Sequence, residues 1–221
     1  MERDAGHGRC GRWRYGRAVN DPKERASDTP IEVLERAASC VRFVLATLKI
    51  ELDFTPETLP LVDHWLKEAA KIESDAEDEV HALAAEAAGA YFGEVVRRQL
   101  GDGRWRLAPD PSRWRLELSS VFLAFNPLGM AMEAVAEEPL DGWNAHLEVL
   151  PQDRGLLEQT LSHLGDIRED DYYRLAVRWE VIEQVIAALE AAKVARGDEA
   201  QRFGAEVYRA TLDAVPAIAK A

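Results

Sequence analysis

The sequence predicts an α+β protein that is mostly helical, with a small antiparallel β-meander packed on a central helix and a C-terminal helical hairpin or bundle. Three observations favour this fold. Small and apolar residues at 84–100 recur at helical spacing. Three short apolar or alternating segments follow between 104 and 125. From Pro151 onward the apolar pattern is helical again.

The length and composition predict three parts of the chain. Its 221 residues are 47% hydrophobic, which is enough for a core of ordinary size. We expect a disordered basic tail at 1–28, an α+β domain at 29–150, and a C-terminal helical extension at 151–221 that packs on this domain. The tail is rich in Gly and Arg, and Trp13 among its arginines could stack on nucleobases.

The net charge of −13 argues against nucleic-acid binding by the body of the protein, because an acidic surface repels phosphates. Only the basic tail is open to such contacts. Two cysteines, Cys10 and Cys40, give neither a disulfide framework nor a metal knuckle, which fits a reducing compartment. No apolar run is typical of a signal peptide or a membrane span. We therefore expect a cytoplasmic protein that does not bind membranes.

Two helices are predicted before the central one. Pro30 favours the start of the first helix, which ends near Lys49. Its apolar residues at helical spacing are Ile31, Leu34, Ala38, Val41, Leu45 and Leu48. Residues 55–57 (TPE) provide a cap, a first-turn proline and an acid that favours the helix dipole, and so begin the second helix. Its apolar stripe is Leu59, Val62, Leu66 and Ala69.

The central helix at 78–100 is predicted to be half-buried. On a helical wheel one arc is apolar, and the opposite arc carries Glu79, Glu86, Glu94, Arg97 and Arg98. Gly89 and Gly93 lie at the edge of the apolar arc. Because glycine costs about 1 kcal/mol inside a helix, two of them four residues apart indicate that another backbone lies close against this strip.

The segments after the central helix predict a meander and then more helices. Residues 104–108, 114–118 and 121–125 are the expected strands, and the last is apolar throughout, as for burial on both faces. Asn126 and Pro127 cap a helix to 136. A short strand near 150 is the next candidate. The C-terminal helices are expected at 152–164, 170–196 and 198–214, the second with a bundle or coiled-coil face.

His81 is the candidate catalytic residue, because it lies within the apolar arc of the central helix with Glu77 and Asp78 close before it. Half of a carboxylate–histidine site could be built from these residues. No second Glu/Asp-x-x-His occurs, so the simpler interpretation is a first-turn histidine hydrogen-bonded at the core edge. His64 beside Asp63 could act as a general acid or base. No cofactor and no metal is expected.

Glu94, Arg97, Arg98 and Trp105 are the candidate binding residues. Glu94 precedes the two arginines by three and four residues, the spacing of surface ion pairs that contribute about 0.2–0.5 kcal/mol each. A functional arginine here would need a cleft. We assign Trp105 to the sheet layer, although an exposed tryptophan would indicate a binding surface.

Three segments carry a resemblance. Residues 52–59 (LDFTPETL), 89–98 (GAYFGEVVRR) and 103–105 (GRW) form the pattern. It resembles the "LDxSPExL … GxYxGExxRR … GxW" pattern of a widespread class of bacterial proteins catalogued as domains of unknown function. The resemblance covers about 50–135 and implies no activity and no catalytic residues.

For function, we expect a non-enzymatic cytoplasmic protein that binds another protein or itself, through its acidic surface and the long C-terminal helix. Acidic immunity proteins, which neutralise basic toxins, are one analogy. The alternative is a hydrolase or metal-dependent enzyme that uses His81 with nearby acids.

Overall fold

The computed structural model describes residues 29–72, 76–100, 103–163 and 168–213. The predicted basic tail at 1–28 lies outside the described residues. The helices are α1 (Ile31–Leu48), α2 (Leu59–Ala69), α3 (Glu77–Leu100), α4 (Pro127–Ala136), α5 (Arg154–Ser162), α6 (Glu169–Tyr172), α7 (Leu175–Arg196) and α8 (Ala205–Leu212). The strands are β1 (Gly103–Arg106), β2 (Arg115–Leu118), β3 (Leu123–Phe125) and β4 (Glu148–Val149).

The predicted fold class is confirmed: the protein is a mostly helical α+β fold with a small antiparallel sheet. The strand order is β1-β2-β3-β4, so each strand pairs with its neighbours in sequence, as in a meander. The predicted fourth strand is present as β4. The division of the chain at residue 150 stays a prediction, although α7 contributes to the same core cluster as α1 to α4.

The central helix α3 is buried along most of its second half, where α1, α4 and the sheet all contact it. The close approach of a second backbone is confirmed at Gly89: a Cβ there would lie 2.5 Å from the Cα of Leu128, at the start of α4. At Gly93 the neighbour is instead a side chain, since a Cβ would overlap the indole ring of Trp105. Both glycines are therefore required by packing.

The helix α1 turns a different side to the core from the one that the sequence had singled out. Its buried residues are Val33, Ala37, Cys40 and Val44. The stripe that begins with Ile31 and Leu34 lies outside this face and is exposed or half-buried. The sequence contains two apolar stripes at helical spacing; the inner one is fully buried, whereas only Val41 and Leu48 of the other pack against the edge of the main core.

The third strand is buried on both faces, as predicted. Leu123 and Phe125 belong to the main core on the side of the helices. Phe122 and Ala124 face the other way and form a smaller cluster with Phe203 and Tyr208. The hydroxyl of Tyr208 donates to the carbonyl of Leu118 at 2.6 Å, which fixes α8 to this outer face.

The C-terminal helices differ from their predicted bounds for identifiable reasons. The segment predicted as one helix at 170–196 is interrupted before Leu175, where α7 begins. The helix predicted at 198–214 begins only at 205. The chain first turns after α7, where Lys193 donates to the carbonyls of Ser120 and Gln201, and the N–H of Phe203 then donates to the carbonyl of Ser119. A non-helical segment supplies acceptors that a helix would have used internally.

The predicted bundle face of α7 is used inside the protein. Its apolar residues are buried in the main core: Leu175, Trp179, Val181, Ile182, Val185, Ile186 and Leu189. Arg178, also buried, donates to the carboxylate of Glu133 on α4 at 2.5 Å. The chain itself thus covers this apolar face, and the expectation that the long C-terminal helix takes part in binding a partner stays a prediction.

Gly89→Ala is expected to destabilise the protein by about 3 kcal/mol or more, because the backbone of α4 cannot move away from the new methyl group. Gly155→Ala in α5 is the matched control, since a Cβ there meets nothing within 4 Å. The control should be neutral or stabilising by about 0.5 kcal/mol. Urea unfolding of both variants measures the difference. Equal stabilities would contradict the close packing of α3 on α4.

Candidate functional site

The carboxylate of Glu94 is the centre of a buried polar network. Its Oε1 accepts from Arg97 Nε at 2.8 Å, from Trp105 Nε1 at 2.9 Å and from Thr29 Oγ1 at 3.3 Å. Its Oε2 accepts from Arg97 Nη2 at 3.0 Å and from Arg98 Nε at 3.2 Å. The sequence-predicted binding residues are thus brought together, in one cluster inside the protein.

The expectation that this cluster lies on a solvent-facing arc is wrong. Glu94 is 0% exposed and Arg97 is buried as well. The reason is tertiary: β1 returns across this side of α3, and Thr29 before α1 covers it from another direction. Trp105 is also buried, so it does not form an exposed aromatic binding surface. Arg98 alone of the four reaches solvent, with 30% of its side chain exposed.

Two opposing effects act on the pKa of Glu94. Burial alone would raise this pKa, because it disfavours the charged form. The hydrogen bonds and charges of Arg97, together with Trp105 and Arg98, outweigh burial and hold the pKa of Glu94 below its usual value. The carboxylate therefore stays charged at neutral pH with both oxygens occupied. Such a group positions structural elements and is poorly suited to transfer a proton.

A second polar cluster joins residues 52–59 to the same helix. The hydroxyl of Tyr91 accepts from the backbone N–H of Phe54 at 2.9 Å and lies 2.6 Å from Thr58 Oγ1. The guanidinium of Arg98 lies 3.6 Å from the ring centroid of Phe54. Burial raises the pKa of Tyr91 to about 12, so its hydroxyl stays protonated. Residues 52–59 and 89–98, two segments of the pattern described above, are thus in direct contact.

The backbone of Phe54 is held in an unusual conformation within this cluster. Its φ is 61°, in the left-handed region that a bulky residue rarely adopts. Three contacts fix it there: its N–H on Tyr91, its carbonyl on Gln99 Nε2 at 3.1 Å, and its ring stacked on Tyr91. Sequence reasoning missed this role of residue 54.

The candidate site formed by His81, Glu77 and Asp78 stays a prediction. Both acids are exposed, whereas His81 is half-buried. The Nε2 atom of His81 is buried and has no hydrogen-bond partner among the described residues, so the expected hydrogen bond at the core edge is absent from that atom. Within the same part of the chain, no three His, Cys, Asp or Glu side chains are grouped to hold a metal ion.

A cleft of about 330 Å³ lies between α2, α4 and α7 and contains His64. On its wall, Asp63 Oδ1 accepts from the N–H of Leu175 at 2.7 Å and Oδ2 from the N–H of Ala176 at 3.1 Å. Asp63 thereby caps the first turn of α7 from another helix. Burial raises the pKa of Asp63 to about 6, despite these hydrogen bonds. The cleft is thus built around a helix cap, and His64 beside it is exposed.

The outer side of α1 carries apolar side chains that the core covers only in part: Val41 and Leu48 pack against its edge, whereas others reach solvent. Ile31 is 61% exposed and Leu45 is 46% exposed. Leu34 and Ala38 between them are half-buried and are not among the residues packed against the main core. We call the set Ile31, Leu34, Ala38, Val41, Leu45 and Leu48 the outer stripe. A contiguous apolar stripe on a surface helix is typical of a docking surface.

Comparison of the chain with known protein families, with curated proteins and with solved structures finds no match. The resemblance to the bacterial class named above stays a prediction. Among the described residues, no helix has the length and apolar character needed to cross a membrane.

Glu94→Gln is expected to destabilise the protein by about 3 kcal/mol, because it leaves the buried guanidinium of Arg97 without its counter-charge. Glu86→Gln on the same helix is the matched control. Glu86 pairs with Arg36 at 2.9 Å near the surface, so its replacement should cost less than about 1 kcal/mol. Urea unfolding at neutral pH provides both values. A Glu94 variant as stable as the control would contradict the central role of the network.

Asp63→Asn should change how stability depends on pH. The pKa of Asp63 rises from 3.8 to about 6 on folding, so the folded protein binds this proton more tightly than the unfolded chain between these values. The contribution of Asp63 to stability is therefore greatest below this window and is lost as pH rises through it. The stability of the native protein relative to Asp63→Asn should fall by about 2 kcal/mol from about pH 4 to about pH 7.

The exposed Asp141 offers a control with the same chemical change. Urea unfolding of the native protein, Asp63→Asn and Asp141→Asn across the pH range separates the effect of Asp63 from that of the other carboxylates. A difference between the native protein and Asp63→Asn that does not vary with pH would rule out the raised pKa.

Proposed function

We propose that this chain is a non-enzymatic cytoplasmic protein that binds a protein partner through the outer stripe of α1. The observation that carries the proposal is the exposure of Ile31 and Leu45 on a helix whose other face is fully buried. Leaving large apolar side chains in water is unfavourable by about 25 cal/mol per Å², so covering them stabilises a complex with a partner. Single exposed apolar residues need no such explanation, whereas a stripe along one helix does.

The contacts that hold α1 in place also support a docking role. Its inner face is fixed on α3 by Val33, Ala37, Cys40 and Val44. Arg36 additionally pairs with Glu86 of α3 at 2.9 Å. A helix held in this way needs no further ordering of its backbone on binding, which favours affinity.

The alternative of an enzyme that uses His81 has no comparable support. Glu77 and Asp78 are both exposed, whereas His81 is half-buried. Within the proposed class of interaction proteins, the net charge of −13 favours a partner whose contacting surface is basic or neutral, whatever its overall charge. The acidic immunity proteins remain an analogy for this charge pattern.

A photo-crosslinking amino acid at position 45, in the cells that naturally make the protein, tests the proposal. Leu45 is replaced in one variant, and Val194 on α7, which is 58% exposed, in the control. We expect position 45 to capture a protein that position 194 does not, identified by mass spectrometry. Equal yields at both positions, or none at position 45, would overturn the proposal.

A further inference from the structure

The outer stripe of α1 has the spacing of a coiled-coil seam. Its residues are separated by three and four positions in strict alternation, from Ile31 to Leu48. This is the a and d pattern of the heptad, in which two helices cross at a small angle and interleave their apolar side chains. The helix has 18 residues, so about 27 Å of its length can take part.

The same stripe is complementary to itself when two copies run antiparallel. A two-fold axis that lies between the two helices, perpendicular to them and level with their midpoints, places every a position of one copy opposite a d position of the other. The opposed pairs are Ile31 with Leu48, Leu34 with Leu45, and Ala38 with Val41. The two smallest residues meet at the centre, which permits close approach of the helices, and the largest lie towards the ends.

The charges beside the stripe match this arrangement. Glu35 and Arg42 occupy the two e positions that border the stripe. In the antiparallel pair, Glu35 of one copy and Arg42 of the other both lie between the layer of Leu34 with Leu45 and the layer of Ala38 with Val41. They are therefore neighbours, and the two-fold axis repeats this contact. Parallel pairing would instead bring e positions towards g positions, which are Ala37 and Val44 and are buried in the core. The charge pattern therefore selects the antiparallel orientation.

The local charge of α1 also allows two copies to meet there. The whole chain carries −13, so two copies repel each other over most of their surface. Within α1, Glu32 and Glu35 are balanced by Arg36 and Arg42, so the helix is neutral. Association through α1 brings together the part of each copy that contributes least to the repulsion.

We propose that two copies of this chain associate through the outer stripes of α1, antiparallel and two-fold symmetric, with Glu35 of each copy paired to Arg42 of the other. The proposal rests on the proposed function, for which it names the partner. It requires no change in the fold, because every residue involved is at the surface or at the edge of the core.

Charge reversal in purified full-length protein tests the pairing. Glu35→Arg alone places Arg opposite Arg at both contacts, and Arg42→Glu alone places Glu opposite Glu. Each variant should self-associate about tenfold more weakly than the native chain, because two attractive pairs become two repulsive ones. An equimolar mixture of the two variants restores both Glu–Arg pairs and should form a mixed dimer. Sedimentation velocity over a concentration series measures these equilibria.

Two further variants control for misfolding and for nonspecific contacts. Leu45→Glu should abolish association, whereas Val194→Glu, on a surface apolar residue outside the stripe, should leave it unchanged. Circular dichroism checks that each variant remains folded. A native chain that is monomeric at every concentration overturns the proposal, and so does a mixture of the two charge variants that associates no better than either alone.

The crosslinking experiment at position 45 separates this inference from the proposed function. Capture of a second copy supports both. Capture of a different protein, with a monomeric purified chain, overturns self-association and keeps the function. Capture of residues 1–28 of the same chain overturns both, because the stripe would then be covered from within.

Discussion

The burial of the Glu94 carboxylate is the constraint on which the rest of the structure depends. A charge without water is tolerated only when several donors surround it, and removing one partner of such a pair costs several kcal/mol. Here the donors come from three places: the last turns of α3 itself, Trp105 on β1, and Thr29 before α1. The requirement to satisfy one carboxylate therefore fixes where the sheet and the first helix meet the central helix.

Small residues on α3 make this arrangement possible. Gly93 leaves room for the Trp105 indole to lie against the helix, and from that position its Nε1 donates to Glu94. One turn earlier, Gly89 admits the backbone at the start of α4. The helix-weakening effect of two glycines is thus offset by packing and by a hydrogen bond that depends on that packing. The charge of Glu94 is therefore fully satisfied only if the packing at Gly93 is maintained.

Much of the fold could be predicted from periodicity and caps, including the central helix, the meander and the Asn126 cap, whose side chain accepts from Leu128. The site could not. A helical wheel separates apolar from charged residues but cannot tell that another element will cover Glu94 and Arg97. Nor can it tell which of two apolar stripes on α1 enters the core. The cap on α7 comes from Asp63, 112 residues before Leu175, and no local pattern encodes that pairing.

The scaffold and the proposed docking surface are linked through α3. Thr29, immediately before α1, donates to Glu94, and the inner face of α1 lies on the same helix. The orientation of the outer stripe is therefore set by the buried network rather than by α1 alone. A rigid stripe loses little conformational entropy on docking, which matters because an acidic chain must overcome repulsion to associate with itself. The buried network around Glu94 therefore determines the geometry of the proposed docking surface.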